Sequence, residues 1–421
     1  MQGQPHATPT AACGPLIRGD LVRQRPLRLQ IFDFVRAVGT VPRARVAKDL
    51  RISPGTVSTL TAELIAQGVL RESQALADVE TGARGRPPVA LEVCPEAFVV
   101  AGIKLASGEH TGLLVDFAGR QLASVRQAAP PGPRPPAEQI DAIGTMLDRM
   151  LQDVGRDRSD LAALGMGVPG FVQNATGRIH WSHVLDVRDV DFAALASRRL
   201  QVPVTIDNDA NLVALAELWF GEGREKSDFA VVTTEQGVGF GLVIDHRLYR
   251  GGSQLGMELG HAKVALDGAL CRCGQRGCLE AYLADYAIAR EAGAALGLPS
   301  EDQPPIPDLI ARLQDEASAG NAPARSVFAR TQRYLAVGLA NVVNIFDPSL
   351  LILSGGRMRY DWMDPAALLT EMADFAIHTG QDLPPLVVHE WGDLLWAHGA
   401  AALALEMVTV TRIGQAREGV S

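Results

Sequence analysis

Residues 271–280 read C-R-C-G-Q-R-G-C-L-E, and no other stretch limits the fold of this chain so tightly. Three thiols fall within eight residues, spaced Cys-x-Cys-x4-Cys. The chain has five cysteines, Cys13, Cys94, Cys271, Cys273 and Cys278. An odd number, scattered apart from this cluster, does not make a disulfide framework, and in a reducing compartment a tight cluster more often binds metal. Cys271, Cys273 and Cys278 offer three thiolates, and a tetrahedral zinc needs a fourth ligand. His261, ten residues before Cys271, is the best candidate. Four protein ligands leave no open position, so such a zinc is structural. Gly274 and Gly277 let the backbone bend around the ion. The competing reading is a loop of free thiols.

The chain has 421 residues, room for about three domains. It has no apolar run long enough to span a bilayer. Its N-terminus lacks an apolar segment behind basic residues, so a secretory signal is not expected and the expected location is cytoplasmic. The net charge is −9. Residues 25–95 nevertheless carry ten Lys/Arg against seven Asp/Glu. A small basic end on an acidic body points to a nucleic-acid contact confined to that end.

That end has a clear grammar. Ile31, Phe34, Val35 and Val38 have helical spacing and Gly39 stops the helix. Val46, Ala47 and Leu50 give a short second helix one apolar face. "RIS" is a tight turn, Ser53 is a natural N-cap, and Pro54 suits the first helical position. Val57, Leu60 and Leu64 face inward, which sends Thr56, Ser58, Thr59 and Thr61 outward near the start of the third helix. Small hydroxyl residues there suit a helix that enters a major groove. Two strands, "VLRES" and "PVALEV", flank a long loop carrying Arg84 and Arg86. The whole reads as an α+β winged helix-turn-helix over residues 25–95, behind a flexible tail at 1–24. Its expected partner is double-stranded operator DNA, met by Arg51, Thr56, Ser58, Thr59, Arg84 and Arg86. The alternative is a helical bundle that packs on a partner protein.

From residue 96 the pattern changes. "FVVAGIKLA", "HTGLLVDFAG" and "RQLASVRQA" read as three consecutive strands, followed by a Pro-rich link and an amphipathic helix near 140–154. "LAALGMGVPGFV", "VPVTIDNDANLVALAELWFG", "FAVVTTEQGVGFGLVID" and "SLLILSGG" continue the alternation of strands, glycine loops and helices. This is an α/β body, and glycine loops after strands are where such bodies bind small ligands.

"VPVTIDNDANLVALAE", "GMELGHAKV" and "CRCGQRGCLEAY", in that order, resemble the ROK (repressor, open reading frame, kinase) family over roughly residues 98–410. The winged helix in front resembles the family's transcription-factor branch. The resemblance implies a two-lobed, actin/hexokinase-like α/β body, with one lobe at 96–206 and 396–415 and the other at 207–395. It implies that His261 completes the zinc site. It also implies a sugar or sugar-derivative effector held by Asn208, Asp209, Glu258, His261 and Glu280. Gly170 and His183 are expected to line the same cleft, His183 standing where the family often has an Asn. With zinc pinning the segment between them, Glu258 and Glu280 can meet sugar hydroxyls with little motion, and charge-assisted hydrogen bonds are stronger than neutral ones.

In the family's kinases the residue matching Asp209 is the base that deprotonates the sugar hydroxyl. The first phosphate loop of those kinases reads roughly Asp-x-Gly-Gly-Thr, where this chain has K-L-A-S-G from Lys104. The second reads Gly-Thr-Gly-x-Gly, where this chain has E-Q-G-V-G from Glu235. A carboxylate beside a polyphosphate is repulsive by about 1 kcal/mol or more. A non-catalytic sugar-responsive repressor is therefore expected, with an active sugar kinase as the alternative. Operator binding further implies a homodimer or homotetramer.

Overall fold

The computed structural model describes residues 12–17, 25–73, 89–354, 364–377, 380–389, 392 and 394–414. The chain divides into two compact units, residues 1–227 with 396–421, and residues 228–395.

The first unit opens with helices α1 (Leu27–Val38), α2 (Arg43–Leu50) and α3 (Pro54–Ala66). Gly39 ends α1 at φ 90°, its N–H bonding the Val35 carbonyl. Ser53 caps α3 by accepting the Thr56 N–H at 3.1 Å. Ile31, Val35, Val46, Val57 and Leu64 are fully buried between the three helices and a small antiparallel sheet. That sheet has the order β1 (Val41–Pro42), β3 (Ala90–Val93), β2 (Leu70–Ser73). The expected hairpin is the β2–β3 pair. β1 was not foreseen, because two residues with a proline carry no alternation. The loop bearing Arg84 and Arg86 lies outside the described residues.

Next come β4 (Val99–Lys104), β5 (Glu109–Asp116), β6 (Gln121–Ala128), α4 (Pro136–Asp153) and β7 (Leu161–Val168). A hairpin of β8 (Phe171–Gln173) and β9 (Arg178–Trp181) precedes α5 (Phe192–Leu200), β10 (Val204–Asn208) and α6 (Asp209–Phe220). The sheet order is β10-β7-β4-β5-β6. β10, β7 and β4 are parallel, so their carboxyl ends share one edge. The C-terminal helix α12 (Leu395–Ile413) returns to this unit. It lies close against the sheet, since a Cβ at Gly102 or Gly165 would collide with the Ala397 or Ala400 carbonyl.

The winged module is part of this unit. Its α1 is buried on a second face, with Phe32 stacked on Phe117 at 5.1 Å and Arg36 against Trp219 and Thr409. Residues 12–17 are equally anchored, which corrects the expectation of a wholly flexible tail over residues 1–24. Cys13 is 1% exposed. The backbone N–H groups of Cys13, Gly14 and Leu16 bond the carbonyls of Arg36, Trp219 and Arg224 at 2.8–3.2 Å.

The second unit holds β11 (Phe229–Thr234), β12 (Val238–Ile244), β13 (Arg247–Tyr249), α7 (Glu280–Leu283), α8 (Asp285–Ala295), α9 (Ile306–Ser318), α10 (Ala322–Phe346), β14 (Leu351–Ser354), α11 (Pro365–Ala373) and β15 (Leu386–His389). Its sheet runs β13-β12-β11-β14-β15. Numbered in chain order, the five strands of either large sheet stand 5-4-1-2-3 in space. This repeated connectivity is the mixed α/β, actin-like fold that the sequence led us to expect. Leu335, Leu339 and Val342 of α10 serve the core of this unit with Leu279, Leu283 and Leu353.

The division falls at 227/228, not at the expected 206/207. α6 belongs to the first unit because Leu212 fills the space above Gly167 and its carbonyl abuts Gly399 of α12. Among the described residues, no helix is long and apolar enough to cross a membrane.

Candidate DNA-binding face, ligand edge and metal centre

The exposed start of α3 presents Ser58 and Thr59, with Thr56 partly exposed. Thr56 shares its hydroxyl with the Ser53 cap at 2.8 Å, and the Thr59 hydroxyl donates to the Gly55 carbonyl at 3.2 Å. Arg51 is exposed at the end of α2, in the left-handed region at φ 54°. These four expected DNA-contact residues therefore stand around one turn. Thr61 does not join them. It is 0% exposed, and its hydroxyl accepts from Arg43 Nε and donates to the Ser58 carbonyl, each at 3.2 Å. A threonine four residues past Val57 sits on the inward stripe, where a hydroxyl satisfied by the preceding turn is tolerated.

In the first unit, the carboxyl edge of the parallel strands gathers Gly170, His183, Asn208 and Asp209. Asn208 ends β10 and caps α6: its Oδ1 accepts the Ala210 N–H at 2.8 Å. Its Nδ2 donates to the Gly170 carbonyl at 2.7 Å. Gly170 takes φ 116°, and a side chain there would collide with the Trp181 carbonyl, so only glycine fits between the strand and the returning hairpin. Asp209 is the first residue of α6, where the helix dipole favours a carboxylate. Beneath it Asp207, 0% exposed, accepts from Asn211 Nδ2 and from the Asn208 N–H, both at 2.8 Å. This brace was not anticipated, although the repeated Asp and Asn of "DNDAN" carried the signal. His183 is held below the usual histidine range by burial, with Lys104 pushing the same way and Asp209 opposing. A neutral imidazole can both donate to and accept from hydroxyls. The Lys104 ammonium lies 3.3 Å from the centroid of the Trp396 ring, at the strand position that the resemblance aligns with the kinases' first phosphate loop.

In the second unit, His261, Cys271, Cys273 and Cys278 converge, with ligand atoms all within 4.8 Å of one another. Cys273 Sγ and Cys278 Sγ are 3.7 Å apart, and Cys271 Sγ and His261 Nδ1 are 3.8 Å apart. A tetrahedron with metal–sulfur bonds near 2.3 Å has edges of about 3.6–3.8 Å. The donor set therefore fits a metal ion, and a Cys3His set suits zinc. Gly277 adopts φ 74° and packs where a Cβ would strike the Ala265 carbonyl, which makes it indispensable to the turn. The knuckle is held by its own backbone, including Cys271 N–H to the Gln275 carbonyl at 2.8 Å and Val264 N–H to the Gly277 carbonyl at 2.8 Å.

Burial pushes the Cys271 thiol up to about 12, so metal binding there must displace a proton. Lys263, which sequence reasoning missed, donates to Cys278 Sγ at 3.0 Å and to the His261 carbonyl at 3.1 Å. Three thiolates on a dication leave one net negative charge, and this ammonium balances it.

Glu280 opens α7 directly beyond the knuckle, its Oε1 3.5 Å from Cys271 Sγ. Glu258 is exposed, and its carbonyl accepts the His261 N–H at 2.9 Å. With Nδ1 turned to the thiols, His261 keeps Nε2 for a second partner. Of the E-Q-G-V-G stretch, the Glu235 N–H bonds the Gly237 carbonyl at 2.9 Å in the β11–β12 turn.

The family described as the ROK family matches residues 100–407. The xylose repressor of Caldicellulosiruptor bescii is 26% identical over 318 residues, covering 74% of this chain and 78% of its own. A crystal structure of a ROK family transcriptional regulator, a homologue of the Escherichia coli Mlc protein, superposes with a TM-score of 0.76. It covers 94% of this chain and 100% of its own at 20% identity. The ROK hexokinase from Thermus thermophilus matches with a TM-score of 0.63 at 28% identity, covering 74% of this chain and 99% of its own.

Proposed function

Since the chain belongs to the ROK family, we propose that it is a sugar-responsive, DNA-binding transcriptional regulator, a repressor of carbohydrate uptake or catabolism genes relieved by a sugar or sugar derivative. The observation that carries this reading is the winged helix-turn-helix, built into the same compact unit as the Asn208–Asp209 ligand edge. The xylose repressor and the Mlc homologue support it.

In this reading, α3 enters the major groove with Arg51, Thr56, Ser58 and Thr59 at its leading end. Arg84 and Arg86 meet phosphates from the wing. Gly170, His183, Asn208 and Asp209 are the proposed sugar contacts of the first unit, and Glu258, His261 and Glu280 those of the second. Zinc held by His261, Cys271, Cys273 and Cys278 fixes the latter three, so that carboxylates and imidazole meet hydroxyls already oriented. The domains are the winged module at 25–95 and two ROK lobes. The protein works in the cytoplasm as a homodimer or homotetramer, so that paired α3 helices reach successive grooves.

Arg86→Ala tests the DNA contact. It is expected to weaken binding to all sequences about equally and to reduce the salt slope by about one. An unchanged slope removes the wing from the phosphate contacts.

A second reading, an active sugar kinase with Asp209 as base, is favoured by the Asn208–Asp209 pair and the likeness to the hexokinase. Against it stand Lys104 and Glu235 in the two phosphate loops. Incubation with ATP and a monosaccharide panel is expected to give no turnover above background. Turnover that Asp209→Asn abolishes would establish the kinase.

A further inference from the structure

The Tyr286 hydroxyl stands between the metal centre and a ligand carboxylate. Tyr286 is the second residue of α8. Its oxygen lies 3.6 Å from Cys271 Sγ and 3.4 Å from Glu280 Oε1, and those two atoms are 3.5 Å apart. The three atoms form a nearly equilateral triangle. The Arg272 guanidinium covers the tyrosine ring 4.1 Å from its centroid, and the Arg272 N–H donates to the hydroxyl oxygen at 3.4 Å. The oxygen is thus held in place while its proton is free to turn.

A metal ion changes who can donate in this triangle. A metal-bound cysteine is a thiolate and has no proton to give. Cys271 Sγ and Glu280 Oε1 are then both acceptors, and a tyrosine hydroxyl has one proton to offer. Whichever acceptor it serves, the other must find its donor elsewhere. The second carboxylate oxygen, Oε2, faces Gly237, where an added Cβ would come within 3.0 Å. Glycine at 237 keeps that side of the carboxylate open.

We propose that Tyr286 is a positioning residue that couples the two sites: its single O–H is shared between the metal thiolate of Cys271 and Glu280, so that a ligand hydroxyl donating to Glu280 frees the tyrosine O–H to turn and hydrogen-bond the thiolate. The proposal rests on the sensor reading only in giving Glu280 a ligand. A hydrogen bond to a metal thiolate lowers the energy of its lone pairs, so the coupling is visible in the metal's own spectrum.

The experiment uses the full chain loaded with cobalt(II), which accepts the same ligand set as zinc and reports thiolate-to-metal charge transfer. Glu280→Gln weakens the competing acceptor and is expected to shift that band to higher energy. Tyr286→Phe is expected to shift it to lower energy and to weaken metal binding about 10-fold in competition with a chelator. Adding Glu280→Gln to Tyr286→Phe is expected to produce no further shift. A Glu280→Gln protein whose band does not move, or moves equally with and without the Tyr286 hydroxyl, overturns the proposal. D-glucose, D-xylose and N-acetyl-D-glucosamine are then added to the cobalt protein, and one that binds is expected to reproduce the Glu280→Gln shift. A sugar that binds without moving the band also overturns it. Failure of all three to bind counts against Glu280 as a sugar ligand, whereas the variant comparison tests Tyr286 without any sugar.

Discussion

Replacing Arg36 with alanine is expected to cost about 3–5 kcal/mol, the usual penalty for breaking a buried ion pair from one side, and to loosen the DNA-binding module from its unit. Arg36 is 3% exposed and Asp33 is 8% exposed. The guanidinium pairs with Asp33 at 2.8 Å, donates to Thr409 Oγ1 at 2.7 Å and lies over the Trp219 ring at 4.5 Å. Its carbonyl accepts the Cys13 N–H. One side chain thus ties α1 to α6 and to α12.

Without Arg36, Arg25, at 3.0 Å, is the one remaining partner of Asp33 among the described residues. Burial already raises the Asp33 carboxyl against the pull of both arginines. Arg36→Lys should recover part of the loss, since an ammonium restores the charge but not the fork that reaches Asp33 and Thr409 together. Thermal unfolding measures both variants. A Tm within a degree of wild type for Arg36→Ala would mean that the buried pair does not hold the module.

Cys273→Ser is expected to lose the metal and the sugar response together. A serine hydroxyl is a poor replacement for a thiolate on zinc, and three remaining ligands do not make a closed structural site. The expected result is a fall from about one zinc per chain to none, with sugar-dependent DNA binding abolished. Basal DNA binding should persist, because α1–α3 and the wing strands belong to the other compact unit. Elemental analysis and a DNA-binding titration with and without sugar read the two effects. A zinc-free variant that still responds to sugar would separate the metal from the ligand site.

The metal centre was legible because its four ligands lie within 18 residues, 261 to 278, and the glycines that bend the knuckle lie among them. The helix-turn-helix was legible for the same local reason: a cap, a proline and an apolar stripe specify α3 almost alone. The Arg36 node was not. Asp33 and Arg36 read as the polar face of α1, since periodicity shows only that Ile31 and Val35 point inward. What buries the opposite face is Phe117, Trp219 and Thr409, which lie 85 to 373 residues away in sequence from Phe32 and Arg36.

The unit boundary failed in the same way. The strand-turn-helix of "VTIDNDANL" looked like the start of something new. The packing of Leu212 against Gly167 and Gly399, with Trp219 against Arg36, ties α6 to the first unit. Tyr286 was missed although it stands eight residues after Cys278, because a tyrosine at that spacing belongs to no ligand pattern.

The chain is expected to bind particular DNA under the control of a sugar. Genomic DNA recovered on the purified protein, with and without a mixture of monosaccharides and their phosphates, tests it directly. The expected result is a small set of enriched fragments that the sugars release, lying beside genes for carbohydrate uptake or breakdown. Recovery of no specific fragment under either condition would contradict it.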